Sequence, residues 1–259
     1  MFIGIFFRFL NINYIYNFIL GDIFMIFVSK KRILSSLFVL FLAFSISIIS
    51  SSKENVIETS GDLKTYRIIV DAGHGLPDGG AVSKDGILES NLNLEIARKL
   101  QEELESYGYD ILMTRTTENN IADSDKQNSI REIKVSDLTN RVKIANESNS
   151  DFMISIHMNK YSESKYFGWQ TFYSKNSERG KKLATLIQNS ISNNIDRENK
   201  RTPLSIEGIK IVDKTNIPVV IVECGFLSNP DDLKLLQTEE YQNSIVKGIC
   251  EGINDFYDM

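Results

Sequence analysis

The sequence is poor in the residues from which disulfide scaffolds and small metal modules are made. It holds two cysteines and two histidines in 259 residues. Two cysteines exclude a disulfide framework, and without a C-x-x-C pair there is neither a zinc ribbon nor a thioredoxin-like redox site. No G-x-G-x-x-G is present, which argues against a phosphate-binding loop. No basic block offsets the net charge of −5, which speaks against nucleic acid as the main partner. Internal repeats are absent as well. What is present is a globular balance, 42% hydrophobic and 24% charged. The charge is unevenly placed. Arg8, Lys30, Lys31 and Arg32 against Asp22 make residues 1–52 +3, so the remainder carries −8.

The basic cluster Ser29-Lys30-Lys31-Arg32 precedes Ile33–Ser50, a run without charge. This pattern predicts a secretory signal or an N-terminal membrane anchor over residues 1–52. Ser45-Ile46-Ser47 is a weak cleavage candidate, and no lipid-accepting cysteine is present. Met25 opens a more ordinary signal than Met1 does, so residues 1–24 read either as sequence upstream of the true start or as a second membrane segment. Residues 53–65 form a polar linker. Residues 66–259 are long enough for one domain with a sizeable core.

Within that domain the hydrophobic periods alternate. Arg67–Asp71, Tyr109–Thr114, Phe152–Ile156, Gly168–Tyr173, Ile209–Val212 and Pro218–Glu223 read as strands. Leu92, Ile96, Leu100 and Leu104 mark a helix that stops at Gly108. Further helices are expected over Asp137–Asn149 and Glu178–Ile195, after Pro230, and along Tyr241, Ile245, Ile249 and Ile253. Arg115–Ser136 reads as a long polar loop. Together these predict an α/β fold: a mainly parallel or mixed twisted sheet of about six strands, with helices on both faces.

Both histidines follow a predicted strand, where functional groups of such sheets gather. His74 lies in Asp71-Ala72-Gly73-His74-Gly75, and His157 in Ser155-Ile156-His157-Met158-Asn159. Two histidines leave a catalytic zinc one protein ligand short. Glu89, at the start of the first helix, is the best-placed carboxylate; the alternative is a charge that favours the helix N-terminus. Glu223 ends an apolar strand, an expensive place for a carboxylate that is not paired, metal-bound or catalytic. It is the natural general base for water acidified by zinc, with a helix-capping or supporting role as the alternative. Adjacent Cys224 raises a Cys/His hydrolase, but strand alternation turns it away from Glu223 and a packing role suits it better. Cys250 reads as packing too.

Read in order, these segments resemble the zinc-dependent N-acetylmuramoyl-L-alanine amidases called amidase type 3. The resemblance rests on Ile69–Gly75, Gly86–Ser90 with Asn93-Leu94, Thr114-Arg115, the Arg141–Asn146 helix, Ser155–Asn159 and Val222–Pro230. Thr171-Phe172-Tyr173 and the bare catalytic domain are most similar to the sporulation-associated cortex amidases of the CwlD type. The resemblance implies His74, Glu89 and His157 as ligands of one Zn²⁺ and Glu223 as catalytic acid/base. It implies hydrolysis of the amide between N-acetylmuramic acid and L-alanine in peptidoglycan. Arg115 and Asn159 fall on recurrent family positions, so substrate binding and structural support are both open for them. The inhibitory helix that regulated members insert after the second histidine has no room in Lys160–Phe167. Ser90 and Trp169 depart from the family pattern, with a bearing on substrate fit.

Three functions remain to be separated. They are a secreted or membrane-tethered wall amidase active in spore cortex formation, a zinc peptidase or deacetylase on another wall substrate, and a non-catalytic wall-binding protein on the same fold. The acidic domain is repelled by anionic wall polymers. Localisation therefore falls to the N-terminal segment, to a membrane or lipoprotein partner that also activates the enzyme, or to substrate affinity.

Overall fold

Alternating buried β-branched residues build a sheet with two apolar faces, as expected for strands covered on both sides. The computed structural model describes residues 66–126 and 129–258. The expected export segment, the choice of start and the linker lie outside the described residues. Among the described residues no helix is long and apolar enough to cross a membrane.

Six strands are described: β1 (Arg67–Ala72), β2 (Asp110–Met113), β3 (Phe152–Asn159), β4 (Gln170–Ser174), β5 (Leu204–Ile206) and β6 (Val219–Phe226). Their order is β2-β1-β3-β6-β4-β5. β2, β1, β3 and β6 are mutually parallel, whereas β4 runs antiparallel to β6 and carries β5 parallel to itself. The sheet is therefore mixed, with a parallel majority. The helices are α1 (Glu89–Ser106), α2 (Ile130–Glu147), α3 (Glu178–Asn194), α4 (Lys210–Asp213), α5 (Pro230–Leu236) and α6 (Glu239–Tyr257).

The alternation assigns each face its cover. Ile68, Val70, Phe152, Ile154, Ile156, Val220 and Val222 pack in one cluster with Ile96 and Leu100 of α1, and with α3 and α6. Ile69, Met153, Val219 and Ile221 form a smaller cluster with Ala145 of α2 and Ile211 and Val212 of α4. By the same parity Asp71, Ser155, His157 and Glu223 continue the second face toward the strand ends, beyond its apolar cover. A cluster of polar side chains thus begins where the smaller apolar cluster stops.

Two expected elements differ. Helix α2 begins at Ile130, not Asp137, and Ser129 caps it by accepting a hydrogen bond from the Glu132 N–H at 3.2 Å. Exposed Ile130 and Val135, with buried Ser136, Asp137 and Arg141, blur the apolar stripe that would have announced this helix. The expected strand Ile209–Val212 is instead the turn of helix α4, and the strand in this region is Leu204–Ile206. A four-residue apolar run does not distinguish a strand from a buried helical turn.

Candidate metal centre

The polar cluster is assembled from the loop after β1, from β3 and from the start of α1. His74 follows β1 with φ of 60°. A non-glycine residue in that left-handed region costs about 1–3 kcal/mol, so the surroundings must hold it there. They do so through Arg141 of α2. Its Nη2 donates to the His74 carbonyl at 2.6 Å and its Nη1 to the Ala72 carbonyl at 2.8 Å. Arg141 is in turn ion-paired with Asp71 and, through Nε at 2.7 Å, with Asp137. Buried charges arranged this way are compensated on each side.

Glu89 opens α1 and is 3% exposed. Its Oε2 lies 3.3 Å from His74 Nε2, and its Oε1 lies 2.9 Å from His157 Nδ1. The carboxylate also accepts from the backbone N–H of Ala81 at 2.8 Å and of Met158 at 3.2 Å. Asn93, one turn along α1, donates to the Gly73 carbonyl at 3.0 Å and reaches Glu89 Oε1 at 3.4 Å. Glycines make the close approach possible. A Cβ on Gly73 would stand 2.3 Å from the His157 ring, and one on Gly80 would stand 2.5 Å from Glu89 Oε2.

The charges of the cluster act strongly on one another. Burial works to raise the Glu89 pKa, but hydrogen bonds and charge from His157 and His74 hold it well below the carboxylate range. Burial works to lower the pKa of His74, yet Asp78 and Glu89 outweigh it and bring it up to about 9. Glu223 lies opposite His157 in the β3–β6 register. Burial, reinforced by the charge of Glu89, pushes its pKa up to about 7. Its Oε2 is buried with no protein hydrogen-bond partner. A buried carboxylate oxygen left without a partner is costly unless a ligand or a reacting group meets it.

One potential ligand atom from each of His74, Glu89 and His157 lies within 4.8 Å of the others. Two imidazoles and one carboxylate, with a cradle that only glycine permits, fit a His₂Glu catalytic metal site.

The remaining candidates take different places. Arg115 is 3% exposed and spends its guanidinium on the carbonyls of Ala72, Gly73, Ser90 and Thr117, which puts it beneath the metal loop. Asn159 is half-buried at the end of β3; its Oδ1 accepts from the Lys160 N–H and its carbonyl from the Leu227 N–H. Ser90 and Trp169 are both buried, and the Trp169 indole donates to Ser192 Oγ at 3.2 Å, so neither departure from the family pattern lies at the surface. Cys224 is fully buried on the opposite face, where burial pushes its thiol pKa up and removes it as a nucleophile. Residues 160–169 contain no helix. Asp78 and Asp71 are the neighbours that sequence reasoning passed over. Arg141 stood out only as part of a matching segment, although its i,i+4 spacing from Asp137 signals a helix-borne ion pair.

Comparison with known proteins agrees with this geometry. The family model described as N-acetylmuramoyl-L-alanine amidase matches residues 68–255. The germination-specific N-acetylmuramoyl-L-alanine amidase of Bacillus subtilis is 34% identical over 190 residues, covering 73% of this chain and 79% of the relative. The CwlD amidase from Clostridioides difficile, solved in complex with the GerS lipoprotein, superposes with a TM-score of 0.73 at 37% identity, covering 75% of this chain and 99% of that one. A second amidase, from Clostridium difficile 630, gives a TM-score of 0.65 at 28% identity over 75% of this chain and 97% of that one. With its fold, its His–Glu–His cluster and these relatives in agreement, the chain belongs to the N-acetylmuramoyl-L-alanine amidase family and is a peptidoglycan amidase of CwlD type.

Proposed function

We propose that the chain is a zinc amidase that cleaves the bond between the lactyl group of N-acetylmuramic acid and L-alanine during spore cortex maturation. The observation that carries this reading is the unpartnered buried oxygen of Glu223 beside the His74, Glu89 and His157 cluster. His74, Glu89 and His157 hold the zinc. When bound, zinc supplies a positive charge that polarises the scissile carbonyl and acidifies water. Glu223 takes the proton of the attacking water and delivers it to the alanine nitrogen as the C–N bond breaks. The products are a lactyl carboxylate on the glycan and a stem peptide with a free amino terminus. A carboxyl pKa near 7 suits a group that must accept and then donate a proton at neutral pH.

The cortex role is supported by the germination-specific relative, and a lipoprotein partner by the complex in which the CwlD relative was solved. The basic and apolar segment 1–52 supports export, with the domain from residue 66 acting outside the cytoplasm. The test is digestion of purified peptidoglycan by wild type and Glu223→Gln, with zinc content measured on both. Wild type is expected to release stem peptides bearing N-terminal alanine, and Glu223→Gln to keep its zinc but lose hydrolysis. An active Glu223→Gln chain removes the acid/base role. Release of acetate or of internal peptide fragments instead would favour the deacetylase or peptidase. Muropeptide analysis of spores that lack the chain tests the cortex role, since stem-free muramic acid is expected to disappear.

A further inference from the structure

Helix α2 grips the metal loop by more than its buried arginine. Lys134, Asp137 and Arg141 follow at helical spacing along one side of α2. Arg141 holds the backbone of His74. Lys134, half exposed, places Nζ 3.0 Å from Asp78 Oδ1. The other oxygen of Asp78 lies 3.0 Å from His74 Nδ1. Oδ1 also accepts from the Gly80 N–H at 3.2 Å, while Gly75 and Asp78 exchange backbone hydrogen bonds at 3.0 and 2.9 Å. The carboxylate is thus fixed at both oxygens, and only one of them serves the turn.

The consequence follows from the two nitrogens of imidazole. A neutral histidine can present one nitrogen to a cation only while the other carries the proton, and an acceptor on that second nitrogen selects the tautomer. In His74 the Nδ1 side faces Asp78, which leaves Nε2 facing Glu89. We infer that Asp78 is the positioning residue of the metal centre, fixing Nε2 of His74 as the ligand atom, and that Lys134 steadies its carboxylate from the surface of α2. This rests on the zinc reading above.

Asp78→Asn separates this role from turn formation. An asparagine keeps an oxygen for the Gly80 N–H but turns an N–H₂ toward His74 Nδ1, favouring the tautomer that cannot bind through Nε2. The full-length chain is stripped with chelator and titrated with zinc in competition with a chromophoric chelator, and the melting temperature of the stripped chain is recorded. Asp78→Asn is expected to weaken zinc binding about 10- to 100-fold, while the stripped chain melts lower for want of the Asp78–His74 pair yet stays folded at the titration temperature. Lys134→Gln is expected to weaken it about two- to fivefold, and Lys134→Arg to restore it. Asp78→Asn binding zinc within twofold of wild type would overturn the inference, as would a loss of affinity confined to temperatures at which the stripped variant unfolds. If Asp78→Asn does not fold, the glutamine and arginine variants of Lys134 decide: equal affinities for wild type and Lys134→Gln overturn the relay. Failure of the wild type itself to bind zinc would instead strike the proposed function.

Discussion

Asp71 shows how a single residue can be committed to support without touching chemistry. It is 1% exposed, accepts from Thr114 Oγ1 at 2.6 Å and from Ser155 Oγ, and pairs with Arg141. Burial works to raise its pKa, but Arg141 and the two hydroxyls prevail and hold it below its ordinary 3.8. A depressed folded value means that its ionised form stabilises the fold above about pH 4, and that this contribution fades as pH falls further. Asp71→Asn leaves Arg141 short of a buried partner, at an expected cost of about 3–5 kcal/mol near neutral pH. Urea unfolding of both proteins checks this: the gap should narrow as pH falls below about 4, where Asp71 of the unfolded wild type is protonated first and that of the folded chain only at lower pH. A pH-independent gap would mean that shape, not charge, is what Asp71 supplies. For the ligands themselves, His74→Ala or His157→Ala should lower bound zinc per chain in metal analysis, and unchanged stoichiometry would refute that assignment. Both histidines and both key glutamates were readable from residue type and place, because each stands near the carboxyl end of a strand or opens a helix. Asp78 was not, since an aspartate in a glycine-rich turn ordinarily signals only the turn.

Elements meet most closely where α6 crosses α3. A Cβ on Gly248 would stand 2.5 Å from Ile191 Cα, and one on Gly252 would stand 2.6 Å from Ile187 Cα. Backbone cannot yield as a flexible side chain would, so the two helices must move apart to admit a methyl group. Gly248→Ala gains helix propensity but is expected to lose about 1–3 kcal/mol to overpacking, read as a lower melting temperature; an unchanged one would show that the contact is slack. The apolar positions of both helices could be found by period, yet a helical glycine reads first as a weakness. Its role as a contact surface emerges only beside its partner. Helix α2 illustrates the opposite difficulty. Its buried face interrupts apolar Ile133 and Ala145 with Ser136, Asp137 and Arg141, so the period that reveals α1 and α6 is broken, and only the Ser129–Glu132 cap marks its start.

On the scale of the molecule, the candidate metal site joins segments far apart in the chain: the loop after β1, the start of α1, and β3. A cation that binds only the folded chain stabilises it by about 2.7 kcal/mol at one hundred times its Kd. Chelation is therefore expected to lower the melting temperature together with amidase activity, and zinc to restore both. Activity that survives exhaustive chelation would contradict the zinc reading. The sequence alone determined the α/β class, the strand-end placement of the chemistry and the likeness to an amidase, because hydrophobic period and residue type are local properties. The tertiary structure alone decided which strands are neighbours, that β4 reverses direction, that Glu223 stands opposite His157, and that Lys134 and Arg141 reach the metal loop. Those depend on how distant segments cross and register, and period along the chain carries no record of register between strands far apart in it.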